Sequence, residues 1–306
     1  MTPLFPTSVS VTTPATSANL GPGFDCLGLA LSLHNRLELT IQPAGLTIEV
    51  SGEGAAAIPR DAANLVYRAI ARVYAYVGAP VPGLRLRQAN SIPVGSGLGS
   101  SSAAIIGGLS AANALLGEPL TPDALLSLAV ELEGHPDNVA PALLGGLTAA
   151  WSTDGDVWVA RYPVADLTAI VVNPGYLWLT QAARAVLPGS LPRGEVVKNI
   201  GRIPLLLNAL QHARYDRLPR LMEDALHQPY RMPLMPGVQA AYQAARDLGA
   251  AVALSGAGPS LLALASANHA AIAAAMQEAF AQAGVTSRVW YLVVDRVGAQ
   301  VVLGAE

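Results

Sequence analysis

The amino-acid sequence predicts an α+β fold in two domains, and three observations carry that expectation. The chain has 306 residues, which suggests about two domains at roughly 100–200 residues each. Its first third reads as alternating strand segments, then a glycine-rich loop opening a small-residue helix. Its second half restarts at an apolar strand, Leu167 to Val172, and mixes strands with helices irregularly, unlike the regular alternation of a parallel α/β sheet. The division is expected between 155 and 156, giving domains 1–155 and 156–306, inside a loose window of 150–165.

Residues Ser8 to Val50 read as strands. Arg36–Ile41 and Leu46–Val50 alternate, and Pro43-Ala-Gly45 between them signals a hairpin. Leu65, Ala69, Val73 and Val77 repeat at helical spacing behind Asn64. Leu84–Arg87 is a short strand, and a helix is expected over about Ser100–Leu116, stopped by Gly117. Thr121-Pro-Asp starts the next helix, with Thr121 as cap and Pro122 in the first turn; it runs to Glu133 and ends at Gly134. Beyond residue 167, helices are expected over Thr180–Val186, Glu195–Ala213, Leu218–Leu226, Gly237–Leu248 and Asn268–Ala283. Strands are expected over Ala251–Leu254, Leu261–Ala265 and Arg288–Val294.

Composition excludes several functions. Hydrophobic residues make up 52% and charged residues 13%, so the chain can build a sizeable core. With a net charge of −3, no basic excess points to nucleic acid or an anionic membrane surface. Seventeen of the eighteen basic residues are Arg, and Lys198 lies in Val-Val-Lys-Asn-Ile. A Walker A loop is therefore excluded, as is a protein-kinase strand lysine. The single cysteine, Cys26, forbids an intrachain disulfide and suits a reducing, cytoplasmic setting; its apolar surroundings read as a core thiol. Met1–Ser10 lacks the pattern of a signal peptide. The most apolar stretch, Ala103 to Gly117, is shorter than the ~20 residues of a membrane span.

Chemistry concentrates in Pro93, Val94, Gly95, Ser96, Gly97, Leu98, Gly99, Ser100, Ser101, Ser102 and Ala103. Three glycines between a strand and a helix start allow left-handed backbone and close approach of N–H groups to an anion. The helix N-terminus adds partial positive charge. The glycines alternate, so the dinucleotide fingerprint with its wider spacing fails.

Pro-x-Gly-x-Gly-Leu-Gly-Ser-Ser resembles the phosphate loop of the GHMP kinases, and Ser255-Gly-Ala-Gly-Pro-Ser260 resembles their third motif. Pro14-Ala-Thr-Ser-Ala-Asn-Leu-Gly-Pro-Gly-Phe-Asp25 and Glu131-Leu-Glu-Gly-His-Pro-Asp-Asn138 resemble motifs of the homoserine kinase branch. The resemblance implies an N-terminal domain like domain 2 of ribosomal protein S5 and a ferredoxin-like C-terminal domain. ATP, Mg²⁺ and L-homoserine would meet between them, and a homodimer is implied as well. It places adenine near Asn64, whose other reading is a helix N-cap. Ser101 and Glu133 would hold Mg²⁺, with Glu131 as the alternative carboxylate.

The same resemblance gives Asn19 and Asp25 the substrate ammonium, Arg184 and Arg231 its carboxylate, and His135 and Asn138 the region of the reacting hydroxyl. A zwitterion calls for such a pairing of carboxylate and guanidinium. Two rivals stand beside this reading. One is a GHMP kinase for another alcohol such as mevalonate, which leaves Asp25 unexplained. The other is a non-catalytic ATP and metabolite sensor on the same fold, which leaves Ser101 and Glu133 unexplained. Mevalonate-type relatives carry Asp where this chain has Asn138, so no side chain is expected to act as the general base.

Overall fold

The computed structural model describes residues 6–178 and 180–304; the first half of the Met1–Ser10 segment read for a signal peptide lies outside them. One sheet has seven strands: β1 (Ser8–Ala18), β2 (Leu27–Gln42), β3 (Leu46–Gly52), β4 (Gly83–Asn90), β5 (Leu147–Thr153), β6 (Asp156–Tyr162) and the last strand, β11 (Gln300–Leu303). The path β11-β1-β2-β4-β3 runs along one end of the long β2, and β5 and β6 extend from its other end. Four helices accompany it: α1 (Leu65–Tyr76), α2 (Ser100–Leu115), α3 (Pro122–Glu133) and α4 (Pro136–Leu144). The second sheet is antiparallel, in the order β10-β7-β9-β8, with β7 at Thr168–Pro174, β8 at Ala251–Leu254, β9 at Leu261–Leu264 and β10 at Ser287–Val293. Between β7 and β8 come α5 (Thr180–Ala185), α6 (Arg193–Gln211), α7 (Leu218–Leu221), α8 (Gln228–Arg231) and α9 (Val238–Asp247); α10 (His269–Gln282) joins β9 to β10. This is the split β-α-β-β-α-β arrangement of ferredoxin-like domains, and the two-domain α+β expectation holds.

Local signals worked where they were strong. The Asn64 side chain caps α1 by accepting from the backbone N–H groups of Val66 and Tyr67. Thr121 caps α3 through Ala124, and Gly134 ends it at φ 92°. The Pro43-Ala-Gly45 hairpin does not form, because β4 lies between β2 and β3. It runs antiparallel to β2 and parallel to β3, and its outward Arg85 and Arg87 each reach Glu49 on β3 at 3.2 Å. The expected helix Leu218–Leu226 stops at Leu221, because the Asp224 carboxylate accepts from the N–H groups of Leu226, His227 and Gln228 and opens a new turn. The expected 155/156 division falls in the turn between β5 and β6, and both strands belong to the first sheet, as does β11.

The junction is apolar. Leu27, Leu29, Leu31, Leu98 and Leu147 of the first unit pack in one buried cluster with Ala169, Val171, Leu262 and Leu292 of the second. A separate core lies between the first sheet and its helices, with Leu37, Leu39, Leu84 and Leu86 against Ile70, Val73, Ile105 and Leu109. A third lies under α9 and α10. The shared cluster fixes the two units about the glycine loop.

Candidate active site

The loop is positioned from below. Asn35 on β2 accepts from the N–H groups of Ser91 and Ile92 at 2.8 and 2.9 Å, which aims the chain after β4 across the sheet. Gly95, Gly97 and Gly99 all have positive φ, 64°, 81° and 68°, which explains the alternating glycines. A Cβ on Gly97 would strike the Ser255 carbonyl, and one on Gly99 would strike the Thr16 hydroxyl. The third motif packs against this loop. The Ser255 hydroxyl donates to Gly97 O at 2.7 Å, and Ser260 N donates to Ser96 O at 3.1 Å. Gly256 N donates to Ala18 O at 3.1 Å. α2 starts at Gly99 with no side-chain cap, so its first N–H groups are free to bind an anion.

At that helix start the Ser101 and Ser102 hydroxyls donate to Glu133 Oε1 at 2.6 and 2.9 Å. Glu131 is engaged elsewhere, in a bidentate pair with Arg72 at 2.9 Å for both bonds, and Arg72 holds it below the usual carboxylate range. Hydroxyl and carboxylate oxygens beside a phosphate site are the hard donor set that Mg²⁺ takes, with phosphates and waters completing the shell.

Asp25 and Arg184, expected at opposite ends of a zwitterion, bond each other through two contacts of 2.8 Å. Both are about one-third exposed. Arg231 is 2% exposed. Its Nε donates to Ala183 O at 3.0 Å and its Nη1 to His227 Nδ1 at 3.3 Å. His227 Nε2 faces Gly21 O at 2.9 Å; a carbonyl only accepts, so that nitrogen carries the proton and Nδ1 is the acceptor. Burial pushes the His227 imidazole down, which keeps this tautomer neutral. Burial, with Arg184 adding to it, lowers Arg231 to about 10, so it stays charged at neutral pH. Both guanidiniums lie over the Phe24 ring, that of Arg184 at 5.7 Å and that of Arg231 at 5.2 Å. The Asn19 side chain donates to Gly256 O at 2.7 Å and accepts from Asp25 N at 3.0 Å. It therefore shapes the turn that presents Asp25.

Nearby, His135 Nδ1 meets Asp137 Oδ1 at 2.6 Å. Burial pulls the His135 imidazole down, but the bond to Asp137 and the charges of Asp137, Glu133 and Asp25 outweigh it, and the net shift is upward. Asn138 accepts from the Thr16 hydroxyl at 2.7 Å and turns its amino group toward Asp137.

One cleft of about 380 Å³ joins these parts. Asn19, Asp25, His135, Asn138, Arg184 and Arg231 line one end, and Ile58, Pro59 and Asn64 the other. Val94, Gly95, Ser96, Gly97, Gly99, Ser100, Ser101, Ala103 and Glu133 lie between. Pro93, Leu98 and Ser102 do not line it; Leu98 sits in the apolar junction and Ser102 is fully buried. The Asn64 oxygen is taken up by Val66 N, Tyr67 N and the Gln88 side chain, and its amino group by Pro59 O, so this residue is first a cap. Cys26 is half-buried, and burial raises its thiol.

Sequence reading missed Thr16, Asp224 and His227. Thr16 stands inside the first motif, and His227 is one helical turn before Arg231, so spacing could have found both. Asp224 is recognisable only once three N–H groups converge on it.

Known proteins resemble the chain throughout. Residues 64–146 match the model for the GHMP kinases N terminal domain, and residues 206–282 that for GHMP kinases C terminal. Homoserine kinase of Carboxydothermus hydrogenoformans is 46% identical, covering 95% of this chain and 96% of the relative; that of Moorella thermoacetica is 45% identical, covering 95% and 99%. The crystal structure of homoserine kinase from Cytophaga hutchinsonii superposes with a TM-score of 0.86 at 32% identity, covering 97% of this chain and 98% of that one. An L. major mevalonate kinase shares the fold, with a TM-score of 0.70 at 18% identity over 93% of this chain and 95% of that one.

Proposed function

Because this chain belongs to the GHMP kinase family, we propose that it transfers the γ-phosphoryl group of ATP to the side-chain hydroxyl of L-homoserine, giving ADP and O-phospho-L-homoserine on the route to threonine. One observation carries the substrate: a carboxylate, Asp25, faces two guanidiniums, Arg184 and Arg231, at one end of the cleft that holds the phosphate loop. A zwitterion can insert between them, its ammonium on Asp25 and its carboxylate on the arginines. Mevalonate has no ammonium and would leave Asp25 unmatched.

The loop N–H groups and the open start of α2 hold the triphosphate. Ser101 and Glu133 are the residues to hold Mg²⁺, which when bound supplies charge neutralisation at the phosphates. Asn138 orients the substrate hydroxyl but has no basicity. Asp137 is committed to His135. The proton therefore leaves the hydroxyl for an oxygen of the transferring phosphoryl group, after the new P–O bond has begun to form. A loose transition state asks for little nucleophile activation, so positioning and the field on the phosphates supply the rate. The cytoplasm, where ATP is plentiful and Cys26 would stay reduced, is the compartment this reading assigns.

The test is ADP release from ATP and Mg²⁺ on adding L-homoserine, with R-mevalonate as the control. Turnover with L-homoserine alone supports the reading. Turnover with R-mevalonate, or release with neither, overturns it.

A further inference from the structure

The nucleoside end of the cleft holds buried polar side chains that the reaction does not use. Gln88 on β4 and Asn35 on β2 are each 6% exposed, and Thr13 on β1 is 3% exposed; all three line the cleft. Thr13 lies opposite Asn35 across the β1–β2 ladder, and Leu37 opposite Gln88 across β2–β4. The hydrogen bonds fix which way each amide points. Asn64 Oδ1 already accepts from two backbone N–H groups, so it can only accept from Gln88 as well, and the Gln88 nitrogen that bonds it at 3.0 Å is pinned there. The Gln88 carbonyl Oε1 is left with no partner among the described residues, and it is not sealed from solvent. In the same way two backbone N–H groups pin Asn35 Oδ1, and its amino group is the one left over.

We propose that Gln88 is the residue that selects the base. Its fixed acceptor receives the 6-amino group of adenine, while the Asn35 amino group serves a ring nitrogen. Adenine offers a donor beside an acceptor on its Hoogsteen edge, whereas guanine and hypoxanthine put an acceptor, O6, in place of the amino group. An O6 base would set two acceptors against each other at a side chain only 6% exposed, and sites built around a hydrogen bond reject such analogues strongly. Asn64, which the resemblance places near adenine, acts by holding Gln88 in this orientation.

The inference rests on ATP being the co-substrate, and its test separates the two. Binding of ADP, IDP and purine riboside diphosphate, which lacks the 6-amino group, is measured by calorimetry without L-homoserine. Turnover of the corresponding triphosphates is measured with it. ADP is expected to bind about 10²-fold more tightly than IDP, with purine riboside diphosphate between them. Gln88→Leu should weaken ADP and leave IDP nearly unchanged, so that the ratio falls to a few-fold. Equal binding of the three by the wild-type protein overturns the inference whether or not the variant folds. A Gln88→Leu protein that weakens ADP and IDP by the same factor also overturns it, because Gln88 would then only support Asn64. Selective ADP binding without turnover would leave this inference standing and defeat the proposed reaction instead.

Discussion

Replacing Arg184 by alanine should raise the KM for L-homoserine about 10–100-fold and leave that for ATP unchanged. The structure separates the two effects of the change. The Asp25–Arg184 pair is bidentate but about one-third exposed on both sides, so its loss should cost only about 0.2–1 kcal/mol of folding stability. The contact with Phe24 at 5.7 Å adds about 0.5 kcal/mol. The substrate carboxylate loses one of two guanidiniums, and a hydrogen bond to a charged group contributes about 1.5–3 kcal/mol, which gives the stated range in KM. Steady-state kinetics with 3-aminopropan-1-ol, which is homoserine without its carboxylate, isolates the contact. Wild type and Arg184→Ala should handle that amine alike, since neither has a carboxylate to hold. If the variant loses the same factor on both substrates, Arg184 does not bind the carboxylate.

Three further outcomes follow from the same geometry. Glu133→Gln should lower kcat by about 10²–10³ and raise the Mg²⁺ concentration needed for half-maximal rate, whereas Glu131→Gln should cost under about 1 kcal/mol of stability and little activity; the reverse ranking in a Mg²⁺ titration would move the metal site to Glu131. Asp137→Asn should lose less than the factor of about 10² that marks a general base, and a larger pH-independent loss in a folded variant with intact substrate binding would make Asp137 the base. His135 is raised above its ordinary value by its carboxylate neighbours, so its stabilising contribution is complete below about pH 6.5 and is lost as pH rises through the raised value. Urea midpoints of the wild type should therefore fall across that window, and the fall should vanish in Asp137→Asn, where burial remains but the bonded carboxylate is gone.

Features set by neighbouring residues were readable in the chain. The caps at Asn64 and Thr121 and the left-handed glycines of the loop each depend on a few adjacent positions. Pairing across distance was not. Nothing near Pro43-Ala-Gly45 reveals that β4 will come between β2 and β3, since that depends on a strand some forty residues on pairing with both and placing Leu84 and Leu86 in the core. Motif resemblance brought Asp25 and Arg184 to one site but could not show that they bond each other, across 159 positions of sequence. The strand expected over Leu84–Arg87 stopped one residue before Gln88, although Leu84, Leu86 and Gln88 continue the same inward alternation. A polar residue in a core-facing register was the signal available there, and it lay one position beyond the expected strand.

The contacts beneath the phosphate loop also bear on how nucleotides exchange. Ser255, Gly256 and Ser260 of the second unit are tied to Gly97, Ala18 and Ser96 of the first, above an apolar seam that both units share. Swinging the halves apart would break all of these ties together and expose the seam to water, which makes hinge opening about this line costly. ADP is then expected to leave over the rim, past exposed Val94, while the floor stays shut. An enzyme built this way resets between turnovers without changing its overall shape, so small-angle scattering profiles of the free and nucleotide-loaded protein should superimpose.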